Sequence, residues 1–174
     1  ILLCLLAGYI LGGISGGHVA GKIYKTDVRE HGSGNLGATN VLRTLGWKAA
    51  VITFAVDVSK VIIPVLIVRY VLFPQYAAYS YENQLLVLYY AFGAVIGHNF
   101  PMTLNFHGGK GVACLAATIL MFDWKMALPE ILIFVLLVAI TKYVSVGSIV
   151  VSLFFFGWIV IVHDATLHMA LIAA

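Results

Sequence analysis

Long apolar runs broken by short polar islands set the pattern of this chain. Residues 1–24 form the first run, long enough to cross a hydrocarbon core of about 30 Å as one helix. Gly8, Gly12 and Gly16 recur every fourth residue, as do Gly13, Gly17 and Gly21. Two small-residue faces of that kind predict close helix packing in lipid. A sharper reading places Ser15 and the later glycines along a polar site. The second run, 47–73, predicts another span and carries Asp57 and Lys60 three residues apart, on one helical face. Charges inside a span are costly, so they are either paired or functional. Pro64 predicts a kink in this helix.

Residues 73–83 hold Pro74, three tyrosines and Glu82, which read as an external loop with an aromatic belt. Further spans are expected at 84–100, 111–122, 127–140 and 146–162, with Asp123, Trp124, Lys125, Pro129 and Glu130 in a short external turn. His163 and Asp164 mark another outside turn, and the apolar residues from Thr166 open a seventh helix. Lys22, Lys25, Arg29, Arg43 and Lys48 gather after the first run, so the positive-inside tendency puts that side in the cytoplasm and Ile1 outside. By parity, the polar stretches 25–48, 97–110 and 141–148 then share the cytoplasmic face.

Composition supports a lipid solvent. The chain is 62% hydrophobic and only 10% charged, against about 25% charged in soluble domains, and its mean hydropathy is +1.03. A soluble core of this size cannot bury so much apolar surface. The expected fold is therefore all-α: a polytopic integral membrane protein, with residues 1–174 as one transmembrane domain. A net charge of +3 with scattered basic residues gives no argument for nucleic acid. Cys4 and Cys114 lie far apart in apolar segments and read as buried thiols. The chain begins at Ile1 rather than Met and ends inside an apolar run, so a fragment is expected, and residues 1–24 are read as a span rather than a signal peptide.

Two islands carry the chemistry. Gly32 to Arg43 packs three glycines with Ser33, Asn35, Thr39, Asn40 and Arg43. Arginine offers phosphate a bidentate fork, and a helix starting near Thr39 or Asn40 would turn its amides toward an anion. Ser33 as a nucleophile lacks a legible Ser-His-Asp arrangement, so a binding role is favoured. Gly108-Gly109-Lys110-Gly111 opens a helix without the full Walker spacing, yet glycine amides with one ammonium still suit phosphate. His98 stands before Asn99-Phe100-Pro101 as an acid/base candidate. His31, His98 and His107 lack metal-ligand spacing, and neither metal nor cofactor is expected.

These residues, read as Gly32-Ser33-Gly34-Asn35-x-Gly37-Ala38-Thr39-Asn40-x-x-Arg43, then Gly97-His98-x-Phe100-Pro101, then Phe106-x-Gly108-Gly109-Lys110-Gly111-Val112, closely resemble the acyl-phosphate:glycerol-3-phosphate acyltransferase (PlsY) family. The resemblance extends to Asp57-x-x-Lys60 and to Lys142-Tyr143-x-Ser145-x-x-Ser148. It implies a bacterial inner-membrane enzyme with seven spans and a cytoplasmic active site. It implies transfer of a long acyl chain from acyl phosphate, not acyl-CoA, to the 1-hydroxyl of sn-glycerol 3-phosphate, giving lysophosphatidic acid and phosphate. On this reading Ser33, Arg43 and His98 are the catalytic candidates. Asn35, Thr39, Asn40, Lys60, Gly108, Gly109, Lys110, Gly111, Lys142, Ser145 and Ser148 are expected to bind substrate. Membrane lipid surrounds the protein, and the enzyme that makes the acyl phosphate is a candidate partner.

Two departures stand out. His107 occupies a position that is usually basic in the family, and the family's His-Arg-x-Asn-Ile-type motif after the seventh span is not reached before Ala174. His168 lies too early to replace it. The alternative function is a secondary transporter of an anionic, phosphorylated solute, with interrupted helices and an intramembrane Asp57/Lys60 pair. A non-catalytic membrane scaffold is a third reading, disfavoured by the density of polar residues.

Overall fold

A computed structural model describes residues 1–75 and 80–162. Among these residues the fold is all-helical, and five helical stretches are long and apolar enough to cross a membrane. The first stretch departs from expectation. It is two helices, α1 (Leu2–Gly12) and α2 (Gly16–Ile23), with extended backbone at Ser15 between them. Glycines on both sides of the break are weak helix formers. In lipid the freed backbone groups need partners, and the neighbouring span supplies them: the Gly16 N–H donates to Asp57 Oδ1 at 3.1 Å, and the Ile14 carbonyl accepts from Lys60 Nζ at 2.7 Å.

Helix α3 (Ala38–Leu45) is separated from α4 (Trp47–Ile67) by Gly46 alone, at φ +85°, a left-handed turn that a side chain would strain. Pro64 lies inside α4, and one turn later the ladder widens into π-type turns at Val68–Leu72. Helix α5 (Tyr81–Asn99) starts three residues earlier than expected, because the Ser80 hydroxyl accepts from the Asn83 N–H and caps it. Helix α6 (Val112–Phe122) spans only about 16 Å at 1.5 Å per residue, too short to cross alone.

Helix α7 (Trp124–Thr141) is longer than expected. The Asp123 side chain accepts from the Lys125 N–H and starts the helix there, so Pro129 and Glu130 lie within α7 instead of in an external turn. Lys142, at φ +62°, then reverses the chain into α8 (Val144–Val162). The expected outside turn at His163 and Asp164 and the seventh helix from Thr166 lie outside the described residues, as do Tyr76 and Tyr79.

Helices α1 and α5 meet backbone to backbone. A methyl group added at Gly8 or Gly12 would strike Tyr90 or Ala94 main-chain atoms, and one added at Gly93 or Gly97 would strike Leu5 or Tyr9. The fourfold glycine spacing is therefore a packing seam, as small residues are in lipid. Helix α4 packs against α2, α3 and α6, and α7 against α8. One buried cluster joins Val61, Val65, Val87, Ala94, Cys114 and Ala117; another joins Leu88, Ile119, Met126 and Ile159 around an edge-on Phe122–Phe155 pair. Cys4 and Cys114 are buried free thiols, as expected. Ile10, Val71, Leu128, Ile140 and Leu153 point outward, the arrangement hydrocarbon surroundings favour.

Candidate active site

The first island is organised by Asn40. Its side chain is buried on α3, where Oδ1 accepts from the Ser33 N–H at 2.9 Å and Nδ2 donates to the Val28 and His31 carbonyls at 3.3 and 3.0 Å. Oδ1 leaves no space for a Cβ on Gly32, which sits at φ +60°. Asn40 is thus a clamp on the 28–34 loop, and it also lines the cavity that joins the islands. What the clamp presents is Ser33, which is exposed. Asn35 Oδ1 accepts from the Gly37 N–H at 2.8 Å and shapes the entry to α3. Thr39 and Arg43, four residues apart and both exposed, share one face of α3. Arg43 therefore stands at the end of the helix, away from its amide terminus.

The second island folds back on α5. The Gly108 N–H donates to the Asn99 carbonyl and the Gly109 N–H to the His98 carbonyl, at 3.1 and 3.0 Å. A Cβ on Gly109 would fall on His98 Nε2. These two glycines let the loop lie against the histidine, and their amides face α5. Gly111, at φ +74°, precedes α6, and the Lys110 side chain is exposed.

Between the islands sits a buried cluster. Lys60 Nζ lies 2.7 Å from the Ile14 carbonyl, 3.0 Å from Asp57 Oδ1 and 2.7 Å from His98 Nδ1. An ammonium has three hydrogens, and this one has three internal acceptors. Asp57 Oδ1 also accepts from the Gly16 N–H and lies 3.5 Å from His98 Nδ1. An ammonium only donates, so beside a charged Lys60 the Nδ1 atom serves as its acceptor. Tyr90 Oη completes the surround, donating to the Lys60 carbonyl at 2.6 Å. Lys60 thus stands as a strut behind the site, with its ammonium turned to internal partners.

One cavity of about 660 Å³ joins these parts. Ser33, Asn35, Thr39, Asn40 and Arg43 line it from the first island, and His98, Lys110 and Gly111 from the second. Lys142, Tyr143, Ser145 and Ser148 line it from the α7–α8 turn, while Lys60, Gly108 and Gly109 do not. The predicted convergence of three polar stretches is therefore present, with Arg43, Lys110 and Lys142 as cations around one cavity. The remaining wall is apolar, formed by residues such as Leu115, Ile119, Leu120, Ile131 and Phe134.

The family model described as glycerol-3-phosphate acyltransferase matches residues 2–174. This chain belongs to the glycerol-3-phosphate acyltransferase family. A relative of that name from Mycoplasmopsis agalactiae is 42% identical over 163 residues, covering 90% of this chain and 68% of its own. Another, from Listeria monocytogenes, is 39% identical over 180 residues, covering 99% and 87%. Among solved structures, the acyltransferase resembles PlsY (YgiH), an integral membrane glycerol 3-phosphate acyltransferase, in its glycerol 3-phosphate form. That match has a TM-score of 0.83 at 31% identity and covers 99% of this chain and 82% of that one. The lysophosphatidic acid form of PlsY matches with a TM-score of 0.81 at the same identity.

Two residues of the acyltransferase escaped the sequence reading of the site. Asp57 was legible as an intramembrane charge, but its place on the cavity wall needs the fold. Glu130, assigned to a turn, is 2% exposed on α7 and lines the same cavity. Its signal was present in Ala127, Ile131 and Phe134, three before, one after and four after it, an apolar helical pattern that Pro129 and nearby charges obscured.

Proposed function

We propose that this acyltransferase moves a long acyl chain from acyl phosphate to the 1-hydroxyl of sn-glycerol 3-phosphate, releasing lysophosphatidic acid and inorganic phosphate. The observation that carries this reading is the single cavity with three cations on one part of its wall and apolar helices on the rest. Both substrates are phosphates, and only one carries a tail; a basic mouth opening into an apolar channel suits that pair. The three cation-bearing stretches lie on the side that positive-inside patterning assigns to the cytoplasm of a bacterial inner membrane, where soluble glycerol phosphate is at hand.

Acyl phosphate is a mixed anhydride, already activated, so no covalent enzyme intermediate is needed. The glycerol hydroxyl oxygen attacks the acyl carbonyl and forms the ester C–O bond. The bond between the carbonyl carbon and the phosphate oxygen breaks, its electron pair leaves with phosphate, and the hydroxyl proton goes to the departing phosphate. Arg43 and Lys110 hold phosphate, Lys142 adds charge at the mouth, and Ser33, Asn35 and Thr39 orient the glycerol moiety with Ser145 and Ser148 opposite. Such positioning and fixed charge account for most of the rate enhancement in transfers of this kind. His98, whose Nδ1 is engaged by Lys60, braces the Gly108–Gly109 loop.

Purified protein supplied with sn-glycerol 3-phosphate and either palmitoyl phosphate or palmitoyl-CoA tests the reading. Lysophosphatidic acid and free phosphate in equal amounts from the acyl phosphate alone is the expected result. Product from acyl-CoA alone overturns the donor assignment. Uptake of glycerol phosphate into vesicles without any lipid product would favour the transporter instead.

A further inference from the structure

Glu130 is a polar group of the cavity wall that the proposed chemistry does not use. It is 2% exposed, and neither carboxyl oxygen has a hydrogen-bond partner among the described residues. Ala127, Ile131 and Phe134 of α7 and Ile119 and Leu120 of α6 line the cavity around it. Lys142, at the mouth, follows the other end of the same helix. From Glu130 to Lys142 the helix advances about 18 Å at 1.5 Å per residue. An extended carbon chain covers that distance in roughly fifteen bonds, taking about 1.2 Å per bond from the reach of an extended backbone.

Resting on the reading of this channel as the acyl site, we propose that Glu130 marks its blind end and sets the longest acyl chain the enzyme accepts. An apolar wall would let a longer tail continue between α6 and α7. A buried carboxyl offers a terminal methyl group no favourable contact, and a chain pressed against it displaces whatever solvates the oxygens. Glu130 is thus a specificity-determining residue that never touches the reacting atoms.

The test is kcat/KM for saturated acyl phosphates of about ten to twenty carbons, measured on wild type, Glu130→Ala, Glu130→Met and Glu130→Gln, with thermal unfolding to confirm folding. Wild type is expected to fall steeply beyond about sixteen carbons. Glu130→Ala and Glu130→Met should extend the cutoff by about two to four carbons and raise kcat/KM for the longest donors about tenfold, while shorter donors stay within about twofold. Glu130→Gln, equal in size and still polar, should keep the wild-type cutoff. The flexible Met variant fills the site, so it decides the matter if the Ala variant fails to fold. An unchanged cutoff in a folded apolar variant overturns this role while wild-type lipid synthesis leaves the functional reading standing. A wild type inactive with every acyl phosphate removes both.

Discussion

Replacing Lys60 by Met keeps an unbranched, slightly shorter side chain and removes every hydrogen its ammonium donates. Three acceptors lose their partner at once: the Ile14 carbonyl at the helix break, Asp57 Oδ1 and His98 Nδ1. Lys60 and Asp57 are 6% and 1% exposed, so solvent does not replace the loss. Leaving one partner of a buried ion pair alone costs about 3–5 kcal/mol, and an unsatisfied buried carbonyl adds about 1–3 kcal/mol. The two overlap because Asp57 retains the Gly16 N–H, so the whole effect is about 4–6 kcal/mol. At about 2–4 °C per kcal/mol for a chain of this size, Lys60→Met should lower Tm by about 8–24 °C. Cys4 and Cys114 are buried and free, so a thiol-reactive fluorophore in detergent reports unfolding without added labels. The double variant Asp57→Asn/Lys60→Met leaves no lone charge and should recover more than half of the loss, a coupling that single variants cannot show. A Lys60→Met protein with unchanged Tm and a raised KM for glycerol phosphate would refute this reasoning, because it would place the ammonium on substrate.

Arg43→Ala removes an exposed cation from the cavity and should cut kcat/KM about 10- to 100-fold, the worth of one charge-assisted phosphate contact, with Tm nearly unchanged in the same assay. Asn40→Ala releases the 28–34 loop from three hydrogen bonds, so steady-state kinetics should show kcat falling about tenfold or more as Ser33 loses its place. Gly109→Ala drives a methyl group onto His98 Nε2, and both Tm and kcat should fall, whereas alanine at Gly157, where nothing crowds the added carbon, should be neutral or stabilising. Arg29 forks onto Asp27 and holds its carboxyl down at about 2, below the roughly 3.9 of an unfolded aspartate. The stabilisation this exposed pair gives is therefore complete above about pH 4 and fades as pH falls toward 2, and Asp27→Asn should shift Tm at pH 7 by no more than about 2–3 °C.

Much of the architecture was legible because lipid enforces simple rules. Apolar length placed α4, α6 and α8 close to their observed bounds, and the three polar stretches that parity assigns to one face line one cavity. The break in the first run was not legible. Its glycines serve packing against α5 as well, and the groups that make a break tolerable, Asp57 and Lys60, come from a span more than forty residues away. Residue type alone likewise left the hydrogen bonds of Asn40, Gly108 and Gly109 unread. Their hydrogen bonds turn inward, to the 28–34 loop and to the end of α5, and such directions emerge only when helix ends and loops are assembled. Glu130 was misplaced because a proline and several charges look alike in a turn and in the first turns of a capped helix.

The central claim is that three stretches distant in sequence face one ligand from one side of the membrane. Single cysteines at Thr39, Val112 and Ser145, one on each stretch, test it directly in sealed vesicles of known orientation, against the low background of buried Cys4 and Cys114. A membrane-impermeant maleimide should label all three from the cytoplasmic side, and sn-glycerol 3-phosphate with a non-transferable acyl phosphonate should slow all three reactions together. Labelling from opposite sides, or protection of one position while the others react unchanged, would contradict the account.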